Sequence, residues 1–151
     1  MKMLVCVDGS EQSLKGVSKA VEIASGCSIN EVTLIYVYEN AYNSYWTTHG
    51  VGLSTTRQDL EMISVLDQRL MSQRKKRLQD AASLFQKQLI EPELMIKEGP
   101  PAHTIISVAD ENGFDLIVMG SRGSGGLKKR IPGSVSNAVI QEARASVLIV
   151  K

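Results

Sequence analysis

The sequence predicts an α/β fold in which an open parallel β-sheet carries helices on both faces. Short apolar runs, typical of strands buried on both sides, alternate along the chain with segments of helical periodicity. The chain has 151 residues, 43% of them hydrophobic and 22% charged, which fits a globular domain with its own core. We therefore expect residues 1–151 to form a single domain with right-handed crossovers between its strands.

Apolar runs bounded by turn residues predict the strands of this sheet. They cover residues 3–7, 32–37, 93–97, 116–119 and 147–150. The second run is rich in β-branched residues, which favour strands. A helical segment follows each run except the last, so the predicted order is βαβαβαβαβ.

The helices are predicted between these strands. The first begins after its N-cap, Ser10, and the others cover residues 59–89, 102–112 and 134–143. Apolar residues repeat at helical spacing in the first helix and indicate its buried face. They are Leu14, Val17, Val21 and Ala24.

The helix predicted over residues 59–89 carries a stripe of apolar residues on its buried face. A basic run, residues 74–77, interrupts this stripe. We interpret this run as a solvated segment, because one short basic run does not make a nucleic-acid site. The connection 38–57 before the helix contains Tyr42, Tyr45 and Trp46, which are either a lid or anchors of the loop. The predicted stripe consists of Leu60, Ile63, Leu66, Leu70, Leu78, Ala81, Ala82, Phe85 and Leu89.

Charge and cysteine content argue against several classes of protein. The net charge is +1, which gives no reason to expect nucleic acid as a partner. Cys6 and Cys27 form neither a disulfide framework nor a metal-binding spacing, and His49 and His103 are isolated, so no protein-held metal is expected. No apolar segment is long enough for a signal peptide or a membrane span. We therefore expect a cytoplasmic protein with no membrane partner.

A glycine-rich stretch, residues 120–136, follows the fourth strand and has the features of an anion site. Glycines allow the backbone to approach a ligand, and successive N–H groups can form an anion nest. Gly133 and Ser134 open a helix, where free N–H groups and the positive end of the helix dipole favour phosphate. Neither the P-loop pattern nor the dinucleotide pattern GxGxxG is present. The cations of residues 128–130 are expected to be solvated.

The spacing Gly120-x2-Gly123-x9-Gly133-Ser134 resembles that of the ATP-binding branch of the universal stress protein family. Other segments are similar to the same family: VDGS at 7–10, DLIVMGSRG at 115–123, GSVS at 133–136 and VLIVK at 147–151. The resemblance covers the whole chain except the connection 38–57. One departure is Cys6-Val7, where members of this branch often carry a proline.

The resemblance implies an adenine nucleotide alpha hydrolase-like fold with five strands in the order 3-2-1-4-5. It also implies that Asp8 contacts the ribose or adenine of ATP, and that the backbone of Val37 meets the adenine. A divalent ion, Mg²⁺ or Mn²⁺, would lie on the phosphates, and the last strand would join two chains in a homodimer. The remaining candidate nucleotide contacts are Val7, Met119, Gly120, Arg122, Gly123, Gly133, Ser134, Val135 and Ser136.

Three functions remain open at the level of sequence. The first is an ATP-binding module of the stress response or of signalling, because the loop is well specified and no evident nucleophile accompanies it. The second is a slow ATPase or phosphotransferase, for which Asp8 is the candidate water-positioning residue. The third is a structural dimer that binds no nucleotide.

Overall fold

The computed structural model describes residues 1–39, 57–123 and 133–151, the side chains of 57–60, 62 and 63 excepted. The strands are β1 (Lys2–Cys6), β2 (Glu31–Tyr38), β3 (Glu93–Glu98), β4 (Leu116–Gly120) and β5 (Ser146–Val150). The helices are α1 (Glu11–Gly26), α2 (Arg57–Gln86), α3 (Pro101–Glu111) and α4 (Ser134–Glu142). Each predicted strand and helix is confirmed, with bounds that shift by a few residues.

The strands form one parallel sheet in the order β3-β2-β1-β4-β5, as the resemblance implied. β1 lies at its centre, where Val5 pairs with Leu34 of β2 and with Val118 of β4. The chain adds β2 and β3 on one side of β1, and then β4 and β5 on the other. Because the order reverses between β1 and β4, the helices that follow these two strands pack on opposite faces of the sheet, and a crevice forms at the carboxyl ends of the strands.

The hydrophobic core lies on both faces of the sheet, as the continuous apolar strands predict. On one face, Val17 of α1 and Phe85 of α2 belong to the same buried cluster as Met3 of β1. On the other face, Ile105 of α3 clusters with Leu4, the next residue of β1. Successive residues of β1 therefore point into opposite halves of the core.

The predicted buried face of α1 is wrong at Leu14, whose side chain is 45% exposed. Gly16 is buried in its place. A Cβ atom on Gly16 would lie 3.3 Å from the backbone nitrogen of Gly120. The helix therefore meets β4 backbone to backbone at a glycine, an approach that a leucine at this position would prevent.

The predicted stripe of α2 is correct only in the C-terminal half of the helix. Leu78 and Phe85 are buried, whereas Leu66 is 54% exposed and Leu89 lies beyond the helix, 94% exposed. A helix of 30 residues is about 45 Å long, whereas the 8-residue strand β2 spans about 26 Å. The helix is therefore longer than the sheet, and its first half extends beyond the surface that the sheet can cover. The side chains of Leu60 and Ile63 lie outside the described residues.

Several predictions concern residues outside the described ranges. They are those for Tyr42, Tyr45, Trp46, His49 and the cations of residues 128–130. Among the helices of the described residues, none is both long enough and apolar enough to cross a lipid bilayer.

Candidate functional site

A cavity of about 580 Å³ opens at the carboxyl edge of the sheet, in the range usual for small-molecule sites. The structure brings the residues predicted from sequence together on its wall. They are Val7, Asp8, Val37, Met119, Gly120, Arg122, Gly123, Gly133, Ser134, Val135 and Ser136. The wall also contains residues that the sequence did not single out as ligand contacts. They are Cys6, Ser13, Ile35, Tyr36, Tyr38, Arg74, Pro101 and Ile105.

The loop after β1 forms a tight turn into α1. The carboxylate of Asp8 accepts a hydrogen bond from the backbone N–H of Ser10 at 2.8 Å. The Ser10 hydroxyl accepts one from the N–H of Ser13 at 3.1 Å, which confirms Ser10 as the N-cap. Gly9 adopts a φ of 80°, a conformation that other residues rarely adopt. Ser10 therefore caps α1, while Asp8 stabilises the turn before the helix and lines the cavity.

The loop after β4 packs against the loop after β1. Gly120, the last residue of β4, and Gly123 allow this close approach. A Cβ atom on Gly120 would lie 2.6 Å from the backbone carbonyl carbon of Gln12, and one on Gly123 would lie 2.8 Å from Oδ2 of Asp8. The Ser10 hydroxyl also reaches the carbonyl oxygen of Arg122, at 3.4 Å. Gly120 is therefore required by its packing against the backbone of α1, whatever the cavity binds, whereas a side chain on Gly123 would displace the carboxylate of Asp8.

The start of α4 is held in place by the end of the same loop. The N–H of Gly133 donates to the carbonyl of Ser121 at 2.8 Å. The Ser136 hydroxyl donates within hydrogen-bond distance of both the Ser121 carbonyl, at 3.1 Å, and the Gly133 carbonyl, at 3.0 Å. Its proton is thus used by the loop itself. Ser134, by contrast, is exposed at the first turn.

The first turn of α4 supplies donors for an anion. Gly133 is the N-cap and has no side chain to bond the N–H groups of the helix. The first N–H groups of any helix lack partners within it, and the helix dipole makes this end positive. Since Gly133, Ser134 and Val135 all line the cavity, this end of it is suited to phosphate.

The opposite end of the cavity is apolar and aromatic. Ile35 and Val37 of β2 lie there with Pro101 and Ile105 of α3. β2 and β4 are separated by β1 alone, so the two ends lie roughly 10 Å apart. The cavity thus offers the open first turn of α4 at one end and an apolar surface at the other.

The thiol of Cys6 also lines the cavity and is uncharged at neutral pH. Burial, with a smaller contribution from the Asp8 carboxylate, raises the pKa of Cys6 to about 12. A neutral thiol is a poor nucleophile. Cys6 is therefore a packing residue in this wall.

The basic run on α2 contributes to the site, which the sequence interpretation missed. Lys75 and Lys76 are exposed, as predicted for a solvated segment. The prediction is wrong for Arg74, which lines the cavity, its Cζ atom 3.7 Å from the centre of the Tyr38 ring. Arg77 is exposed, as predicted, and its Nη1 also donates to the Asp8 carbonyl at 3.1 Å and to the Tyr36 hydroxyl at 3.0 Å.

A signal for Arg74 was present in the sequence. It lies four residues before the buried Leu78 and therefore continues the buried stripe of α2. His103 of α3 is exposed and does not line the cavity. Within the described ranges no cluster of three or more His, Cys, Asp or Glu side chains could hold a metal ion.

An open parallel sheet of five strands, with a cavity at the point where the strand order reverses, defines the class of doubly wound α/β proteins. Within that class, the chain belongs to the universal stress protein family, whose model matches residues 1–151. Its role accordingly lies in the stress response.

Individual relatives agree with this assignment. The chain is 33% identical over 150 residues to universal stress protein YxiE of Bacillus subtilis, covering 99% of this chain and 98% of that protein. The solved structure of hypothetical protein MJ0577 superposes with a TM-score of 0.78 at 24% identity, covering 99% and 94% of the two chains.

Two further solved structures contain nucleotides. A universal stress protein from Archaeoglobus fulgidus in complex with dAMP has a TM-score of 0.61 at 24% identity, covering 100% of this chain and 98% of the other. A universal stress protein in complex with cAMP has a TM-score of 0.64 at 22% identity, covering 99% and 95%. At these identities the structures establish the shared fold.

Proposed function

We propose that this protein is an ATP-binding module of the stress response. The observation that carries the proposal is the cavity itself, where the open first turn of α4 and the apolar side chains of β2 face a single space. Phosphates at the α4 end and adenine at the β2 end would use both surfaces. Relatives of the same fold in complex with dAMP and cAMP support an adenine nucleotide as the ligand.

A divalent ion, Mg²⁺ or Mn²⁺, fits this site as a companion of the phosphates. Asp8 is the carboxylate of the described cavity wall, and no wider acidic cluster accompanies it in the described part of the chain. Ions of this kind are commonly bound by few carboxylates, together with substrate phosphates and water. The phosphate oxygens would therefore supply most of the ion's ligands.

Binding is favoured over rapid turnover. Hydrolysis needs a group that positions water and a stabilised transition-state charge. The Asp8 carboxylate bonds the backbone of its own turn, and the Cys6 thiol is neutral. Slow hydrolysis is the alternative, and the release of ADP during incubation with ATP would reveal it.

The protein is further proposed to be a cytoplasmic homodimer that pairs through β5. This strand lies at the edge of the sheet, and its residues 147–150 are only partly buried in one chain. An edge strand with apolar side chains is stabilised when another strand or chain covers it. Sedimentation velocity over a range of concentrations should give the mass of a dimer, and a monomer at all concentrations would exclude it.

Isothermal titration with ATP and magnesium tests the principal proposal. We expect one site per chain, and ATP recovered intact by chromatography after hours of incubation. An absence of binding at millimolar ATP, ADP and AMP would exclude the proposed function. Stoichiometric binding followed by steady release of ADP would instead favour the slow enzyme.

A further inference from the structure

The aromatic end of the cavity carries a cation, Arg74 of α2. The guanidinium of Arg74 lies over the face of the Tyr38 ring, with Cζ 3.7 Å from the ring centre. The Tyr38 hydroxyl donates to Oε2 of Glu98 at 3.3 Å, and this bond orients the ring at the end of β2. Arg74 is thus fixed by stacking at the wall of the cavity.

The donors of Arg74 are not used up by this contact. Stacking engages one face of the guanidinium and leaves its five N–H groups, which lie in the plane, available. In the described part of the chain no carboxylate forms an ion pair with Arg74. By contrast, Arg77, one turn along α2, donates to the Asp8 carbonyl. Of these two arginines, Arg77 fastens the fold and Arg74 faces the ligand space.

We propose that Arg74 is a specificity-determining residue that donates hydrogen bonds to the purine base of the bound nucleotide. This inference rests on the proposed nucleotide-binding function. Phosphates at the first turn of α4 place the base at the β2 end, where Arg74, Tyr38 and Val37 line the wall. A purine offers ring nitrogens as acceptors at its edge, and a planar guanidinium matches such an edge better than an ammonium group does.

An alternative role for Arg74 is to contact a phosphate of the nucleotide or to attract anions in general. Arg122 and the α4 terminus already provide for an anion at the other end, about two strand spacings away. A phosphate contact by Arg74 would therefore require the nucleotide to lie in the reverse direction. A comparison of nucleotides with different numbers of phosphates separates these readings.

The experiment measures the affinities of ATP, ADP and AMP, with magnesium, for the wild type and for Arg74→Met, Arg74→Lys and Lys76→Met. Lys76→Met removes the same charge from an exposed position on the same helix. We expect Arg74→Met to weaken all three nucleotides by a similar factor, roughly 10- to 100-fold, as for the loss of charge-assisted hydrogen bonds. Arg74→Lys should recover only part of this loss, and Lys76→Met should bind as the wild type does.

Three results would overturn the proposal: unchanged affinity in Arg74→Met, full recovery in Arg74→Lys, or a loss that shrinks as phosphates are removed. If the wild type binds no nucleotide, the proposed function fails instead. Tyr38 variants give a second readout should Arg74→Met fold poorly. Tyr38→Phe keeps the ring and loses only the hydrogen bond to Glu98, so it should weaken binding less than Tyr38→Leu, which removes the stacking surface; equal affinities of the two would contradict the proposal.

Discussion

Replacing Gly133 with valine should separate ligand binding from folding at the start of α4. Gly133 has a φ of −63°, which any residue adopts. A Cβ atom there would lie 3.7 Å from Cα of Arg122 and 3.8 Å from the Ser136 hydroxyl, which are ordinary contacts. The variant should therefore fold, while its branched side chain occupies space that a phosphate needs next to the helix N–H groups.

The size of the effect follows from linkage between binding and stability. Nucleotide at 100 times its dissociation constant stabilises a protein by about 2.7 kcal/mol. For a chain of this length each kcal/mol raises the melting temperature by roughly 2–4 °C, so the wild type should gain roughly 5–11 °C with ATP and magnesium. Gly133→Val should gain nothing measurable at the same concentration.

Circular dichroism at increasing temperature, with and without nucleotide, measures both quantities. Asn137→Ala is the matched control, because Asn137 is exposed one turn further along α4. An equal rise in Gly133→Val and in the wild type would refute the phosphate role of this helix start. A fall of more than about 5 °C in the melting temperature of the unliganded variant would show that a valine side chain does not fit in the space around Gly133.

Two further predictions concern residues that act through the fold. Gly120→Ala should destabilise the protein by about 1–3 kcal/mol through overpacking against the Gln12 backbone, which a lower urea midpoint would reveal and an unchanged midpoint would contradict. The pKa of Cys6 is about 12 in the folded protein against 9.0 as its ordinary value, so the unfolded chain loses this proton first as pH rises. Its contribution to stability is therefore full below pH 9 and falls by up to about 1.4 kcal/mol by pH 10. Urea titrations below pH 9 and at pH 10 should show this loss of stability in the wild type and not in Cys6→Ala. An equal pH dependence in the two proteins would contradict the prediction.

The strands and helices were predictable because their signals are local, whereas the order of the strands came from the family resemblance. Ser10 precedes a helical repeat, and the five strands are short apolar runs between turn residues, so no knowledge of distant contacts is needed. Leu14 illustrates the limit of this approach. Helical spacing marks it as buried, but the close meeting of Gly16 with the β4 backbone rotates the helix so that Leu14 faces outward.

The candidate site was predictable where glycine spacing and helix starts indicate it, and not where a distant helix contributes. Nothing near Asp8 in the sequence points to Arg77, 69 residues away, which bonds its carbonyl. A charged residue next to a buried stripe is interpreted as solvated, because periodicity does not distinguish water from the edge of a sheet.

The two arginines of α2 show what this distinction means for the site. Arg77 crosses the first loop so closely that a Cβ atom on Gly9 would lie 2.6 Å from its Nε atom. Arg74, one turn earlier, stacks on the last residue of β2. The same helix face thus holds the backbone of Asp8 and covers the aromatic end of the cavity. A change in Arg74 therefore acts on the cavity wall and a change in Arg77 acts on the turn that carries Asp8, whereas a change in the intervening Lys75 or Lys76 acts on the solvent-exposed side of the helix.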